Sequence, residues 1–256
     1  MNPKLSILIV TWNSWGDLKR CLDSIAKVDF DNLEIVVIDN GSGDDTVEHV
    51  RQQFPEVKLL ENSTNLGLPA AVNQGLRFAK GDYIMLLDVD TEVATGTPAR
   101  LFQFMEQSPH VAMSAPRIYT PEGEIEQSAR NLPSVMSGLF GRQSLLRHWF
   151  PNNPFSRQYL MPENLGKVEP FQVQQVSAAC MFMRRSVIDK AGFWDEGYRC
   201  YWIDSDWCAQ LKSVGESVYC VPDVHIVHHE NNRRGKKKST WRIWHFLRES
   251  ALKFTA

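Results

Sequence analysis

Leu5-Ser6-Ile7-Leu8-Ile9-Val10 is a near-continuous apolar run close to the start of the chain. Side chains on a strand point alternately to opposite faces, so an unbroken apolar run requires cover on both. Working outward, Leu18, Cys21, Leu22 and Ile25 recur at helical spacing, with Asn13 or Ser14 positioned to cap that helix. Ile35-Val36-Val37-Ile38 reads as a second strand, Val47, Val50 and Phe54 as a second helix face, and Val57-Lys58-Leu59-Leu60 as a third strand. A helix over 69–78, with Pro69 in its first turn, precedes the strand Tyr83-Ile84-Met85-Leu86-Leu87. Strands alternating with helices at this interval predict an α/β fold, a mostly parallel sheet with right-handed crossovers.

After Val111-Ala112-Met113-Ser114-Ala115 the rhythm breaks, and residues 116–175 carry prolines, asparagines and scattered aromatics with little periodicity. Long irregular stretches in compact domains tend to be binding loops or lids. A second ordered block follows: strands over 176–183, 217–221 and 224–228, and helices over 186–191 and 205–214. The expected organisation is one domain over 1–232, in two halves, 1–115 and 116–232. A basic and amphipathic segment, 233–256, closes the chain.

The 256 residues suffice for a sizeable core, and 43% hydrophobic with 23% charged residues is ordinary for a water-soluble protein. A formal charge of −2 argues against a generally basic nucleic-acid binder. Five cysteines with no C-x-x-C pair read as reduced thiols in a cytosol-like compartment. No apolar stretch reaches membrane-spanning length, and the start of the chain is too short in apolar residues for a signal peptide.

Each early strand ends in polar residues: Thr11-Trp12-Asn13-Ser14, then Asp39-Asn40-Gly41-Ser42-Gly43-Asp44, then Glu61-Asn62 leading to Asn65-Leu66-Gly67. The fourth ends in Asp88-Val89-Asp90. In open parallel sheets these ends converge on the edge where ligands bind. Carboxylates in D-x-D spacing suit Mg²⁺ or Mn²⁺, which retain coordination positions for substrate phosphates. A cleft of Thr11, Asp39, Asn65 and Asp88 could accept a base and ribose, with phosphates passed to a metal at Asp90. Turns and caps account for any one of these clusters, though less readily for four in succession. Gly41-Ser42-Gly43 is not a dinucleotide fingerprint, because Thr46 stands at the third glycine position and the loop follows the second strand. P-loop, zinc and nucleophile-elbow spacings are absent from the sequence.

The order of these blocks continues through Asn73-Gln74-Gly75, Gly81-Asp82-Tyr83, Val176-Ser177-Ala178-Ala179-Cys180 and Gly192-Phe193-Trp194-Asp195-Glu196. It ends with Tyr201-Trp202-Ile203-Asp204-Ser205-Asp206-Trp207-Cys208 and Val227-His228-His229. Together they resemble glycosyltransferase family two, the inverting sugar-nucleotide transferases of the GT-A fold, and within it the bacterial rhamnosyltransferase-like branch. The resemblance implies that Thr11, Asn13 and Asp39 hold the nucleoside. It implies that Asn65, Gly67 and Asn73 line the nucleotide pocket and that Asp88 faces ribose or metal. Asp90 would be the main ligand for Mg²⁺ or Mn²⁺, with His228 the second. Asp204 matches the general base, and Trp202 and Asp206 would lie near the acceptor.

The chain departs from the pattern at Ile203, where the family often has a second acidic residue. N-capping of the following helix is the competing role for Asp204 and Asp206. The implied partners are a dTDP- or UDP-sugar donor and a saccharide or lipid-linked saccharide acceptor of cell-surface polysaccharide synthesis. Arg233-Arg234-Gly235-Lys236-Lys237-Lys238, followed by Trp241, Trp244, Leu247 and Ala251 at helical spacing, suits an anionic membrane surface. The expected location is therefore cytoplasmic, peripheral at the inner face of the cell membrane. A solvated charged run or a phosphate clamp reads equally from those basic residues. Two rival functions remain at this stage: a non-catalytic nucleotide-sugar or carbohydrate-binding protein of the same fold, and a nucleotidyl transferase releasing pyrophosphate.

Overall fold

The computed structural model describes residues 3–134, 153–198 and 202–229. The basic run, the amphipathic tail, Cys200 and Tyr201 lie outside the described residues. The first half follows the expected alternation. It runs β1 (Leu5–Thr11), α1 (Trp15–Ile25), β2 (Leu33–Asp39), α2 (Thr46–Gln53), β3 (Lys58–Glu61), α3 (Leu68–Phe78) and β4 (Tyr83–Asp88). Next come β5 (Thr91–Val93), α4 (Thr97–Gln107), β6 (Val111–Tyr119), α5 (Pro154–Leu160) and β7 (Phe171–Val173). The described residues close with β8 (Cys180–Arg184), α6 (Val187–Ala191), α7 (Ile203–Ser213) and β9 (Ser217–His228).

Among the described residues nine strands form one sheet, ordered β3-β2-β1-β4-β8-β6-β9-β5, with β7 paired to β9. The four strands β3, β2, β1 and β4 are mutually parallel. β8 then enters antiparallel between β4 and β6, so both halves of the chain share one sheet.

Period-two alternation explains the unbroken apolar runs. Leu5, Ile7, Ile9, Tyr83, Met85 and Leu87 pack on one face with Leu18, Leu22 and Ile25 of α1 and Leu101 and Met105 of α4. Leu8, Ile84 and Leu86 pack on the other with Ala71, Val72 and Leu76 of α3 and Trp207 and Leu211 of α7. Burying each large aliphatic or aromatic side chain contributes about 1.5–3 kcal/mol. The four described cysteines, Cys21, Cys180, Cys208 and Cys220, are buried free thiols, and burial pushes the Cys21 thiol up to about 12.

Three expectations are corrected in detail. Ser14 is the residue preceding α1, but its hydroxyl bonds the Trp12 carbonyl (2.9 Å) and makes no side-chain cap. The strand expected from Val176 begins at Cys180, after a turn. The two expected strands at 217–221 and 224–228 are one strand, β9, whose register against β6 slips after Pro116, so that Arg117 pairs His225. The slip leaves Pro222, Asp223 and Val224 outside the ladder with β6 while the strand itself continues to His228.

Candidate active site

The sheet register sets the site. Thr11 stands opposite Asp39, Asp39 opposite Glu61, and Val10 opposite Asp88, so the strand ends expected to bind ligand form one lip. Asp39 is 2% exposed and accepts hydrogen bonds from the Ser42 backbone N–H (2.9 Å) and hydroxyl (2.5 Å). The Asn13 N–H donates to the Ser42 hydroxyl (2.9 Å), and Gly43 N–H donates to Asn13 Oδ1 (2.7 Å). The loop after β2 is thus pinned to the loop after β1. Gly41 permits this: its φ is 78°, and a Cβ there would lie 2.5 Å from the Thr64 carbonyl carbon. Thr11, 1% exposed, keeps a buried hydroxyl without a protein partner at this lip.

Asn40, not singled out from the sequence as a site residue, organises the neighbouring loop. Its amide nitrogen donates to Asn65 Oδ1 (3.1 Å) and the Gly67 carbonyl (3.2 Å), while its oxygen accepts from the Leu66 N–H (3.0 Å). Asn65 and Gly67 therefore sit beside the Asp39 loop. Asn73 is placed differently. It is 1% exposed, donates to the Trp194 carbonyl (2.8 Å) and Glu196 Oε1 (2.9 Å), and accepts from the Trp194 N–H (2.9 Å). Its amide is fully engaged in clamping α3 to residues 194–196, which leaves no donor for a nucleotide.

Asp88 ends β4, Asp90 lies in the turn, and β5 pairs with β9 so that Thr91 faces His228. The His229 N–H also donates to the Asp90 carbonyl (2.8 Å). His228 Nε2 consequently approaches Asp90 Oδ1 to 3.3 Å and Asp88 Oδ2 to 4.0 Å. One ligand atom from each of the three residues lies within 4.8 Å of the others. Burial alone would lower the imidazole pKa, but Asp90, Glu126 and Asp88 outweigh it and raise it to about 10. An anionic pocket of carboxylate oxygens with one imidazole is a donor set that suits Mn²⁺ or Mg²⁺, so the residues present fit the cation.

Asp204 sits in the first turn of α7, where backbone N–H groups favour negative charge. Its Oδ1 accepts from the Ser205 N–H (2.8 Å). Burial pushes its carboxyl pKa up, against the opposing pull of the Arg130 guanidinium and the Ser205 N–H. The Gln175 amide adjoins it without closing a hydrogen bond of ordinary geometry. Trp202, preceding the helix, is partly buried and holds a left-handed backbone (φ 66°), an uncommon state for a bulky residue. Ile203 is 2% exposed and packs in the core cluster with Trp207, which accounts for an apolar residue where the family often carries an acid. Asp206 accepts from the Tyr198 hydroxyl (3.1 Å) and the Gln210 amide (2.8 Å), so it ties α7 to the preceding loop. Trp194 and Trp207 are core residues, 2% and 0% exposed.

The irregular stretch supplies two residues that sequence reasoning missed. Glu126 Oε2 lies 2.9 Å from His228 Nδ1. Arg130, bridged through its backbone to Gln175, brings its charge to Asp204. Residues 126–130 span at most about 14 Å even when fully extended. The acidic cluster and Asp204 therefore flank the two ends of one short segment.

This architecture is that of the GT-A glycosyltransferases. The chain is similar in fold to a mannosyltransferase from Pyrobaculum calidifontis solved with GDP-Man and Mn²⁺ (TM-score 0.64, 20% identity, covering 95% of this chain and 61% of that one). It is also similar to GalNAc-T7 solved with UDP, GalNAc and Mn²⁺ (TM-score 0.66, 18% identity, covering 90% of this chain and 44% of that one). The chain thus spans about three fifths of the first solved chain and less than half of the second. It belongs to glycosyl transferase family 2, whose family profile matches residues 6–192. Among curated relatives, an N-acetylglucosaminyl-diphospho-decaprenol L-rhamnosyltransferase of Mycobacterium tuberculosis is 27% identical over 249 residues, covering 92% of this chain and 79% of the relative. No helix among the described residues is long and apolar enough to cross a membrane.

Proposed function

We propose that this chain transfers a sugar, with inversion at the anomeric carbon, from a nucleoside-diphosphate donor to a saccharide on a lipid diphosphate. dTDP-rhamnose is the first donor to test and UDP-sugars the next; the mycobacterial relative, a rhamnosyltransferase by name, supports the choice of sugar. The observation that carries the reading is segment 126–130, which touches His228 at one end and brings charge to Asp204 at the other. Asp88, Asp90 and His228 would hold Mn²⁺ or Mg²⁺. When bound, such a cation supplies positive charge to the leaving nucleoside diphosphate.

Thr11, Asn13 and Asp39 bind the nucleoside in this reading, with Asn65 and Gly67 lining the pocket. Asp204 accepts the proton of the attacking acceptor hydroxyl as the new bond to the anomeric carbon forms and the sugar–phosphate bond breaks. A raised carboxyl pKa makes Asp204, when ionised, a better base than an exposed aspartate. Trp202, beside this base, borders the acceptor. Asp206 has a helix-anchoring role in addition to its place near that side.

The test is transfer from dTDP-rhamnose and UDP-sugars to lipid-diphosphate-linked N-acetylglucosamine with Mn²⁺, following nucleoside diphosphate release and glycosylated product. D204N is expected to lower turnover about 10²–10⁴-fold with nucleotide affinity retained. Binding of the donor without turnover by wild type would favour a non-catalytic nucleotide-sugar-binding protein. Pyrophosphate as product would mean nucleotidyl transfer. Peripheral membrane contact belongs to the same proposal, and deletion of 233–256 is expected to weaken co-sedimentation with anionic vesicles; unchanged sedimentation removes that element.

A further inference from the structure

The imidazole of His228 is held from both sides. Nε2 faces Asp90 and Asp88, and Nδ1 faces Glu126 Oε2 at 2.9 Å. Glu126 is not in the group of possible ligands, whose atoms lie within 4.8 Å of one another and belong to Asp88, Asp90 and His228. Its backbone fixes its position. After β6 the chain turns back on itself, with Tyr119 bridged to Ile125, Thr120 N–H donating to the Glu124 carbonyl (2.8 Å) and Glu126 N–H to the Ile118 carbonyl (2.9 Å). β6 is itself paired to β9, Ile118 against Ile226 and Tyr119 against Val227. A hairpin built on the strand beside β9 therefore carries Glu126 to His228. The side chains are largely enclosed, 11% exposed for His228 and 23% for Glu126.

We propose that Glu126 is the positioning residue of the metal site: its carboxylate on Nδ1 turns the His228 ring so that Nε2 offers its lone pair to the cation. The inference rests on the metal-site reading above. An imidazole that ligates through Nε2 as a neutral group must carry its proton on Nδ1, and that N–H needs an acceptor. Glu126 supplies the acceptor, selects the tautomer and restricts ring rotation. It also raises the electron density available at Nε2.

The experiment titrates Mn²⁺ alone into the full chain, reading free Mn²⁺ by electron paramagnetic resonance. It compares wild type, E126A, E126Q, H228A, D90N and the double variant E126A/H228A. E126A is expected to weaken Mn²⁺ binding about 10–100-fold. E126Q, whose amide oxygen still accepts from Nδ1–H, is expected to lose less. The double variant is expected to bind no more weakly than H228A, because a residue acting only through His228 has nothing further to lose. Additive losses would make Glu126 a direct ligand and overturn the proposal. So would E126A binding as wild type while H228A and D90N bind weakly. Should E126A fail to fold, E126Q and E126Q/H228A run the same cycle with a side chain of unchanged shape. If D90N and H228A bind Mn²⁺ as wild type does, the metal-site reading itself fails, and this inference with it.

Discussion

His228 and Asp90 face one another at 3.3 Å, brought together because β9 pairs with β5. A cation held between them would stabilise the folded chain, since the unfolded chain has no such donor set. At a Mn²⁺ concentration 100 times the dissociation constant, the gain is about 2.7 kcal/mol. For a chain of this size that raises the unfolding midpoint by roughly 5–10 °C. Thermal shift with and without chelator reads it, and D90N is expected to abolish the rise. An equal rise in D90N would place the cation elsewhere.

As the proposed base, Asp204 would have to be ionised to accept a proton, and burial raises its pKa above the usual 3.8. Activity is therefore expected to fall as pH drops through that raised value. Arg130 opposes the rise, so R130M is expected to move the acid limb of the pH–rate profile to higher pH. A limb that stays in place in R130M would mean the guanidinium does not act on the base.

Asn73 closes three hydrogen bonds that link α3 to residues 194–196. Removing it leaves the Trp194 N–H and carbonyl unpaired in the interior. N73A is expected to cost about 2–6 kcal/mol in urea unfolding, from one to three kcal/mol for each of the two unsatisfied buried groups. Nucleoside diphosphate affinity is expected to change little. A large affinity loss at unchanged stability would return Asn73 to the pocket.

Glu34 anchors the opposite end of the sheet. Its carboxylate accepts from Ser6 Oγ (2.5 Å), the Lys80 N–H (2.6 Å) and Lys58 Nζ (2.5 Å). Burial would raise its pKa, but these donors together lower it below 4.5. A depressed carboxyl contributes stability above its unfolded pKa and loses it as pH falls through the folded value. The acid arm of wild-type stability, below about pH 4.5, is therefore expected to flatten in E34Q. At neutral pH, E34A is expected to cost about 2–3 kcal/mol, because Lys58 is half exposed and the enclosed donors dominate.

How much was legible in the sequence depended on whether local pattern and tertiary packing agreed. β1, β2 and β4 were readable because burial on both faces leaves an apolar run that turns cannot imitate. The D-x-D and the late histidine were readable as chemistry, and the β5–β9 ladder brings them together. Glu126 and Arg130 were not readable, since they lie where periodicity is absent and owe their places to a hairpin on β6 and a bridge to Gln175. Asn73 looked like a pocket residue because an asparagine on a helix beside the lip carries the same polar groups as an asparagine that clamps one. α4 was not read from the sequence at all; its buried face rests on Leu101 and Met105 with Thr97 and Pro98, too short a stripe to stand out. β9 was read as two pieces because Pro222 and Asp223 resemble a turn, whereas the strand runs through them with a shift of register against β6.

β9 is the strand that joins β5 to the rest of the sheet, and it also delivers His228. A nascent chain emerging from the ribosome carries the paired aspartates long before it carries the imidazole. Cation capture by the three-residue donor set would thereby be deferred until the last described strand has inserted. Metal affinity would then report completed assembly, and a truncated product would keep the acidic tip but lack the imidazole of the full donor set.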